Sequence, residues 1–146
     1  MSGAVRGAVR FAHVALNCRD MAVTEAYYTR HFGFRRVRVL PLGDGQIVFL
    51  RLADAWLELF TAEGDAPAGE ADGPRTPGMR HLAFSVDDVD AQLAAMGEEA
   101  VVTLGPLDFD DFIPGWRTVW LRDPDGTIVE VTQGYADQDD PPRAAA

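Results

Sequence analysis

The sequence predicts an α+β fold made of two tandem βαβββ modules, which together form a U-shaped mixed sheet around a cleft with the helices on its outer face. Three observations carry this expectation. The stretch Arg80-His81-Leu82-Ala83-Phe84-Ser85-Val86-Asp87-Asp88 repeats, in residue type and order, Ala12-His13-Val14-Ala15-Leu16-Asn17-Cys18-Arg19-Asp20, 68 positions earlier. Near the end of each half, Ala55-Trp56-Leu57-Glu58-Leu59-Phe60 is echoed by Thr127-Ile128-Val129-Glu130-Val131-Thr132. Between these echoes each half runs through one capped helical segment and further alternating segments. One four-stranded sheet with one helix covers only a single face, so a lone module is marginal, whereas two side by side build a larger curved sheet.

In the first half, residues 11–18 alternate and read as a strand, with His13, Ala15 and Asn17 on one face and Val14, Leu16 and Cys18 on the other. Asp20 is placed to cap a helix from Met21 to Phe32, with Val23, Ala26, Tyr27 and His31 among its spaced positions, and Gly33 stops it. Phe34–Pro41 is expected as a strand, Leu42-Gly43-Asp44-Gly45 as a turn, and Gln46–Leu52 as the returning strand. After a turn at Ala53-Asp54, Ala55–Thr61 forms the fourth strand, with Trp56, Glu58 and Phe60 on one face. The Gly-, Pro-, Ala- and acid-rich segment 62–78 reads as a linker.

The second half repeats the order. Met79–Val86 is a strand, Asp87 or Asp88 caps a helix to Met96, and Gly97 ends it. Glu98–Leu104 is a strand, Gly105–Gly115 a long loop rich in Phe and acids, and Trp116–Leu121 a strand. Asp123-Pro124-Asp125-Gly126 is a turn, and Thr127–Gln133 is the last strand. The expected organisation is therefore a disordered leader over 1–9, module 1 over 10–62, a linker over 63–78, module 2 over 79–135 and a disordered tail over 136–146.

Composition narrows the partners. The net charge is −10, and residues 66–146 hold five Arg against sixteen acids, which argues against nucleic acid and anionic membranes, since both call for a basic face. No apolar run is long enough to span a bilayer. The single cysteine, Cys18, excludes an intramolecular disulfide and fits a reducing cytoplasm. All thirteen basic residues are Arg, which reads as codon bias in a GC-rich genome.

Each half supplies one His near its start and one Glu near its end. Glu58 and Glu130 are each flanked by apolar residues on a strand, where a carboxylate is costly to bury without a partner. A divalent metal removes that cost for both, and two imidazoles with two carboxylates suit nickel, zinc, cobalt, iron or manganese. A lone strand His or Glu is ordinarily structural or solvated; the repetition is what points His13, Glu58, His81 and Glu130 to a metal. Trp56, Phe60, Trp116 and Trp120 are candidates for the wall of the substrate cleft, set against their usual role as core.

The segments HVALNCRDMAVTEAYYTRHFGF, WLELF, RHLAFSVDDVDAQLAAM and WLRDPDGTIVEVTQ, spanning residues 11–133 in order, resemble the vicinal oxygen chelate superfamily, the glyoxalase I, bleomycin-resistance and dioxygenase fold. The resemblance implies paired βαβββ modules around a metal cleft, and His13, Glu58, His81 and Glu130 match the four metal positions of bacterial glyoxalase I. Methylmalonyl-CoA epimerase is similar but usually has Gln at the second of these, so Glu58 favours glyoxalase. Cys18 and Tyr27 depart from the usual glyoxalase Val or Ile and Phe. Extradiol dioxygenases require a His shortly before the last hairpin and a Tyr near position 120; here residues 105–119 contain no His and position 120 is Trp.

What the resemblance implies is metal-stabilised enediolate chemistry on a small thiol-linked substrate, either glyoxalase-like isomerisation of a hemithioacetal or epimerase-like inversion of a carbon next to a thioester, with Glu58 or Glu130 as the general base, in a homodimer. The rival class is a metal-free small-molecule binding protein of the same fold, as in antibiotic resistance.

Overall fold

The computed structural model describes residues 8–64, 74 and 77–143, so the outermost termini and most of the expected linker lie outside the described residues. The chain divides into two compact units, Met1–Ala66 and Pro67–Ala146. Each is one α+β module of the βαβββ type, carrying a four-stranded mixed sheet.

In the first unit β1 is Val14–Cys18, α1 Met21–Phe32, β2 Arg35–Leu42, β3 Gly45–Leu52 and β4 Ala55–Thr61. The sheet order is β1-β4-β3-β2, with β1 parallel to β4 and the other pairs antiparallel. Asp20 caps α1 through its carboxylate, which accepts from the backbone N–H groups of Ala22 and Val23 at 3.1 and 3.3 Å. Gly33 closes the helix in the left-handed conformation, φ 80°, where glycine carries no Cβ penalty. The buried face of α1 is Thr24, Tyr27 and Tyr28, not a face that includes Val23, which is half exposed. The two tyrosine rings decide this, because they pack with each other and Tyr28 packs with Phe34 at the start of the returning chain. Leu16, Cys18, Val48, Leu50, Leu57 and Leu59 supply the sheet side of the core.

The second unit has β5 at Leu82–Ser85, α2 at Val89–Met96, a 3₁₀ turn at Gly97–Glu99, β6 at Val101–Asp108, β7 at Arg117–Arg122 and β8 at Ile128–Gln133. Its order, β5-β8-β7-β6, repeats the first unit strand for strand, with β5 parallel to β8. Of the two candidate caps Asp88 is used, accepting from Ala91 N–H at 3.0 Å. Val89, Met96, Val119, Leu121, Ile128, Val129 and Val131 form the core.

Two expectations are corrected here. Glu98 and Glu99 belong to the 3₁₀ turn, so β6 begins only at Val101. β6 then continues to Asp108, through residues expected to be loop, because Leu107 and Asp108 pair with Thr118 and Arg117. Arg117 reinforces that end by donating to Asp108 and to Asp90 of α2, each at 3.0 Å. The remaining connection is short and internally hydrogen bonded: Phe109 N–H donates to Trp116 O, and Gly115 N–H to the Asp110 carboxylate. Gly105 is required within β6, since it has φ 91° and a Cβ there would lie 3.0 Å from Thr118 O. Among the described residues no helix is long and apolar enough to cross a membrane.

Candidate metal centre

Both strands that follow a candidate His begin later than the alternation suggests. β1 starts at Val14 and β5 at Leu82, because the parallel partners first meet them at Leu57 and Val129. His13 and His81 therefore sit just outside the ladder, one residue before its first rung. The glutamates sit inside it. Glu58 lies opposite Ala15 on β1 and Phe49 on β3; Glu130 lies opposite Ala83 on β5 and Trp120 on β7. The small residues beside each Glu leave room for the imidazole to fold over it.

This placement makes one His–Glu pair in each unit. His13 Nε2 is 2.7 Å from Glu58 Oε2, and His81 Nε2 is 3.4 Å from Glu130 Oε2. Each glutamate side chain is only 15% exposed, so its carboxylate needs the partner it has. Each imidazole also meets an aromatic ring edge to face: His13 packs on Phe49 at 5.8 Å, and His81 on Trp120 at 6.5 Å. Phe49 and Trp120 occupy the same place in their modules, directly across from the Glu. Sequence reasoning named Trp120 and missed Phe49. The tight turn at Ala53-Asp54 contained the signal, since it pairs Leu52 with Ala55 and so puts Phe49 opposite Glu58.

The donors fit a divalent cation in kind and spacing. Metal–N and metal–O bonds of about 2.0–2.2 Å place neighbouring ligands about 2.8–3.6 Å apart for octahedral to tetrahedral angles; the His81–Glu130 separation of 3.4 Å falls within that range, and the His13–Glu58 separation of 2.7 Å is a hydrogen-bond distance just short of it. One unit alone provides two donors. Among the described residues no three His, Cys, Asp or Glu side chains are gathered into a metal-binding group.

The halves differ in one respect. The Thr118 hydroxyl, fully buried on β7, lies 2.8 Å from Glu130 Oε1 and 3.1 Å from Val131 O. The corresponding β3 residue, two before Phe49, is Ile47.

The other cleft candidates have distinct surroundings. Trp56 and Phe60 share the face of Glu58 and are half-buried, and the Arg51 guanidinium lies over the Trp56 ring, 4.6 Å from its centroid. Trp120 is beside His81, as described. The Trp116 indole N–H donates to Thr132 Oγ1 at 2.9 Å, and its ring packs against Phe109 and Tyr135.

Known proteins are similar to this chain. The chain is 33% identical over 130 residues to the uncharacterized protein YaeR of Escherichia coli K12, covering 82% of this chain and 92% of that protein. It is 27% identical over 139 residues to human mitochondrial methylmalonyl-CoA epimerase, covering 91% and 78%. The crystal structure of lactoylglutathione lyase from Agrobacterium tumefaciens superposes with a TM-score of 0.58 at 29% identity, covering 88% of this chain and 96% of that one. A family model matches residues 10–131, and the chain belongs to the family it describes, the Glyoxalase/Bleomycin resistance protein/Dioxygenase superfamily.

Proposed function

We propose that this protein is a metal-dependent enzyme that moves a proton on a carbon next to a carbonyl in a small thiol-linked substrate, as glyoxalase I-like isomerases do. The observation that carries this reading is the recurrence of one His–Glu pair at the same register in both modules. His13, Glu58, His81 and Glu130 would hold the ion, with the second pair supplied by the other module of the same chain or of a second copy in a homodimer. A bound nickel, zinc, cobalt, iron or manganese ion would supply Lewis acidity toward two neighbouring oxygens of the substrate.

The chain's own residues would do the rest. The imidazoles bind through Nε2, and Phe49 and Trp120 hold the rings against rotation by edge-to-face packing. One carboxylate, Glu58 or Glu130, takes the proton from the carbon and returns it. Return to the neighbouring carbon isomerises a hemithioacetal to a thioester. Return to the opposite face of the same carbon epimerises a thioester, the second reading, which the likeness to methylmalonyl-CoA epimerase favours. Trp56, Phe60 and Trp120 would wall the substrate side, and the lone buried Cys18 suits a cytoplasmic protein.

Elemental analysis of the purified protein, followed by assays with a hemithioacetal and with a 2-methyl-substituted acyl thioester, tests the proposal. Stoichiometric metal and turnover lost in Glu130→Gln are expected. Metal-free protein whose tryptophan fluorescence is quenched by small apolar ligands would instead identify a binding protein.

A further inference from the structure

We infer that Thr118 is a positioning residue that makes the two glutamates of the donor set unequal: it fixes Glu130 as a carboxylate with one oxygen engaged, and it leaves Glu58 the adaptable one. The inference rests on the proposed metal site. It starts from hydrogen-bond arithmetic. A hydroxyl has one proton, and Thr118 Oγ1 has two acceptors in reach, Glu130 Oε1 at 2.8 Å and Val131 O at 3.1 Å. An ionised carboxylate is the stronger acceptor, and the shorter distance agrees, so the proton goes to Glu130. Thr118 is fully buried, so water does not compete for it.

Glu130 is thereby held at both ends of its carboxylate. Oε1 is tied to Thr118, and Oε2 faces His81 Nε2. Only Oε2 is oriented for ligation with an imidazole beside it. Thr118 itself is locked by the sheet: it is paired with Thr132 on β8 and with Leu107 on β6, so the hydroxyl comes from a rung with neighbours on both sides. In module 1 the same rung carries Ile47, whose side chain has nothing to donate. Glu58 has its own imidazole at 2.7 Å but no hydroxyl from that position. The sequence repeat hides this difference, because the repeat lies in β1, β4, β5 and β8, whereas Thr118 and Ile47 lie on the strands between.

The test uses Co(II) alone, added to the full-length chain, with Thr118→Val as the near-isosteric loss of the hydroxyl and Thr118→Ser as its retention. Partners that orient a metal ligand typically contribute a factor of about 10–100 in affinity. Thr118→Val is expected to bind Co(II) about 10–100-fold more weakly by calorimetry. Its visible bands should also weaken, because a released Glu130 carboxylate can ligate through both oxygens and raise the coordination number. Thr118→Ser should match the native protein in both respects. Native-like affinity and spectrum in Thr118→Val would overturn the role of Thr118 and leave the metal site standing. A native protein that takes up no Co(II) would overturn both. Should Thr118→Val not fold, a crystal structure of the native protein with Co(II) decides: Glu130 ligating through one oxygen, with the other on Thr118, supports the inference, and a two-oxygen Glu130 or a Thr118 hydroxyl turned to Val131 O refutes it.

Discussion

Replacing Glu130 by Gln tests the donor set while keeping the local packing. Gln has the same volume and an oxygen that accepts from Thr118, so the rung it occupies should hold. In the metal-free protein three contributions change, one being the contact of His81 with the carboxylate at 3.4 Å, which loses its charged acceptor. The Thr118 hydrogen bond falls from the charged-acceptor range of about 1.5–3 kcal/mol to about 0.5–1.5 kcal/mol. In the other direction, a charge is removed from a side chain that is only 15% exposed, which returns part of its desolvation cost. The net change should lie within about 1 kcal/mol, or about 2–4 °C in Tm for a chain of this size. The metal-bound protein behaves differently. Free ion at a hundred times Kd stabilises the native chain by about 2.7 kcal/mol, which is about 5–11 °C at about 2–4 °C per kcal/mol. If the variant binds ten times more weakly, the same ion concentration contributes about 1.4 kcal/mol, and at a hundred times more weakly about 0.4 kcal/mol. Thermal unfolding followed by circular dichroism, with and without Ni(II) or Zn(II), measures all four values. Equal metal-dependent increments in native and variant proteins would refute the assignment of Glu130. A variant that has lost about 10 °C without metal would instead refute the premise that Gln preserves the local packing.

Three further outcomes are expected. Asp20→Ala and Asp88→Ala each remove a helix cap and should cost about 1 kcal/mol in urea denaturation. Gly134→Ala should cost about 2–5 kcal/mol by the same measurement, because Gly134 has φ 80° and a Cβ would run into the backbone of Gly115. Tyr135 donates to the Asp137 carboxylate at 3.0 Å, and that bond, then the nearby charge, raises its phenol above the ordinary value of about 10. The bond's contribution is present below that ordinary value and is lost as pH rises through the raised one; ultraviolet titration of the native protein against Tyr135→Phe should show it, and Asp137→Asn should bring it down.

Much of the fold was legible because its signals are local. Asp20 and Gly33 bound α1 at both ends, and the burial of Leu57 and Leu59 beside the half-buried Trp56, Glu58 and Phe60 follows directly from alternation. The errors fell where distant pairing decides. β6 runs to Asp108 because Arg117 and Thr118 pair with it, and nothing within residues 105–108 announces those partners. Of the spaced positions read on α1, Tyr27 is buried and Val23 is half exposed, because the tyrosine rings, not the aliphatic Val23, fill the space beneath the helix.

The sequence by itself determined that there are two modules, where their helices and most turns lie, and that each contributes one His and one Glu. A repeat is visible in residue order, and period-two alternation puts each Glu on a definite face. Only the tertiary structure decided what those residues meet. His13 and His81 stand outside the first rung and fold onto carboxylates that are 45 and 49 positions away in the chain, at 2.7 and 3.4 Å. Thr118 reaches Glu130 through a hairpin register that its neighbours in sequence do not specify. Distances of that kind depend on how strands remote in sequence align, and a shift of one residue would turn every one of these side chains to the opposite face.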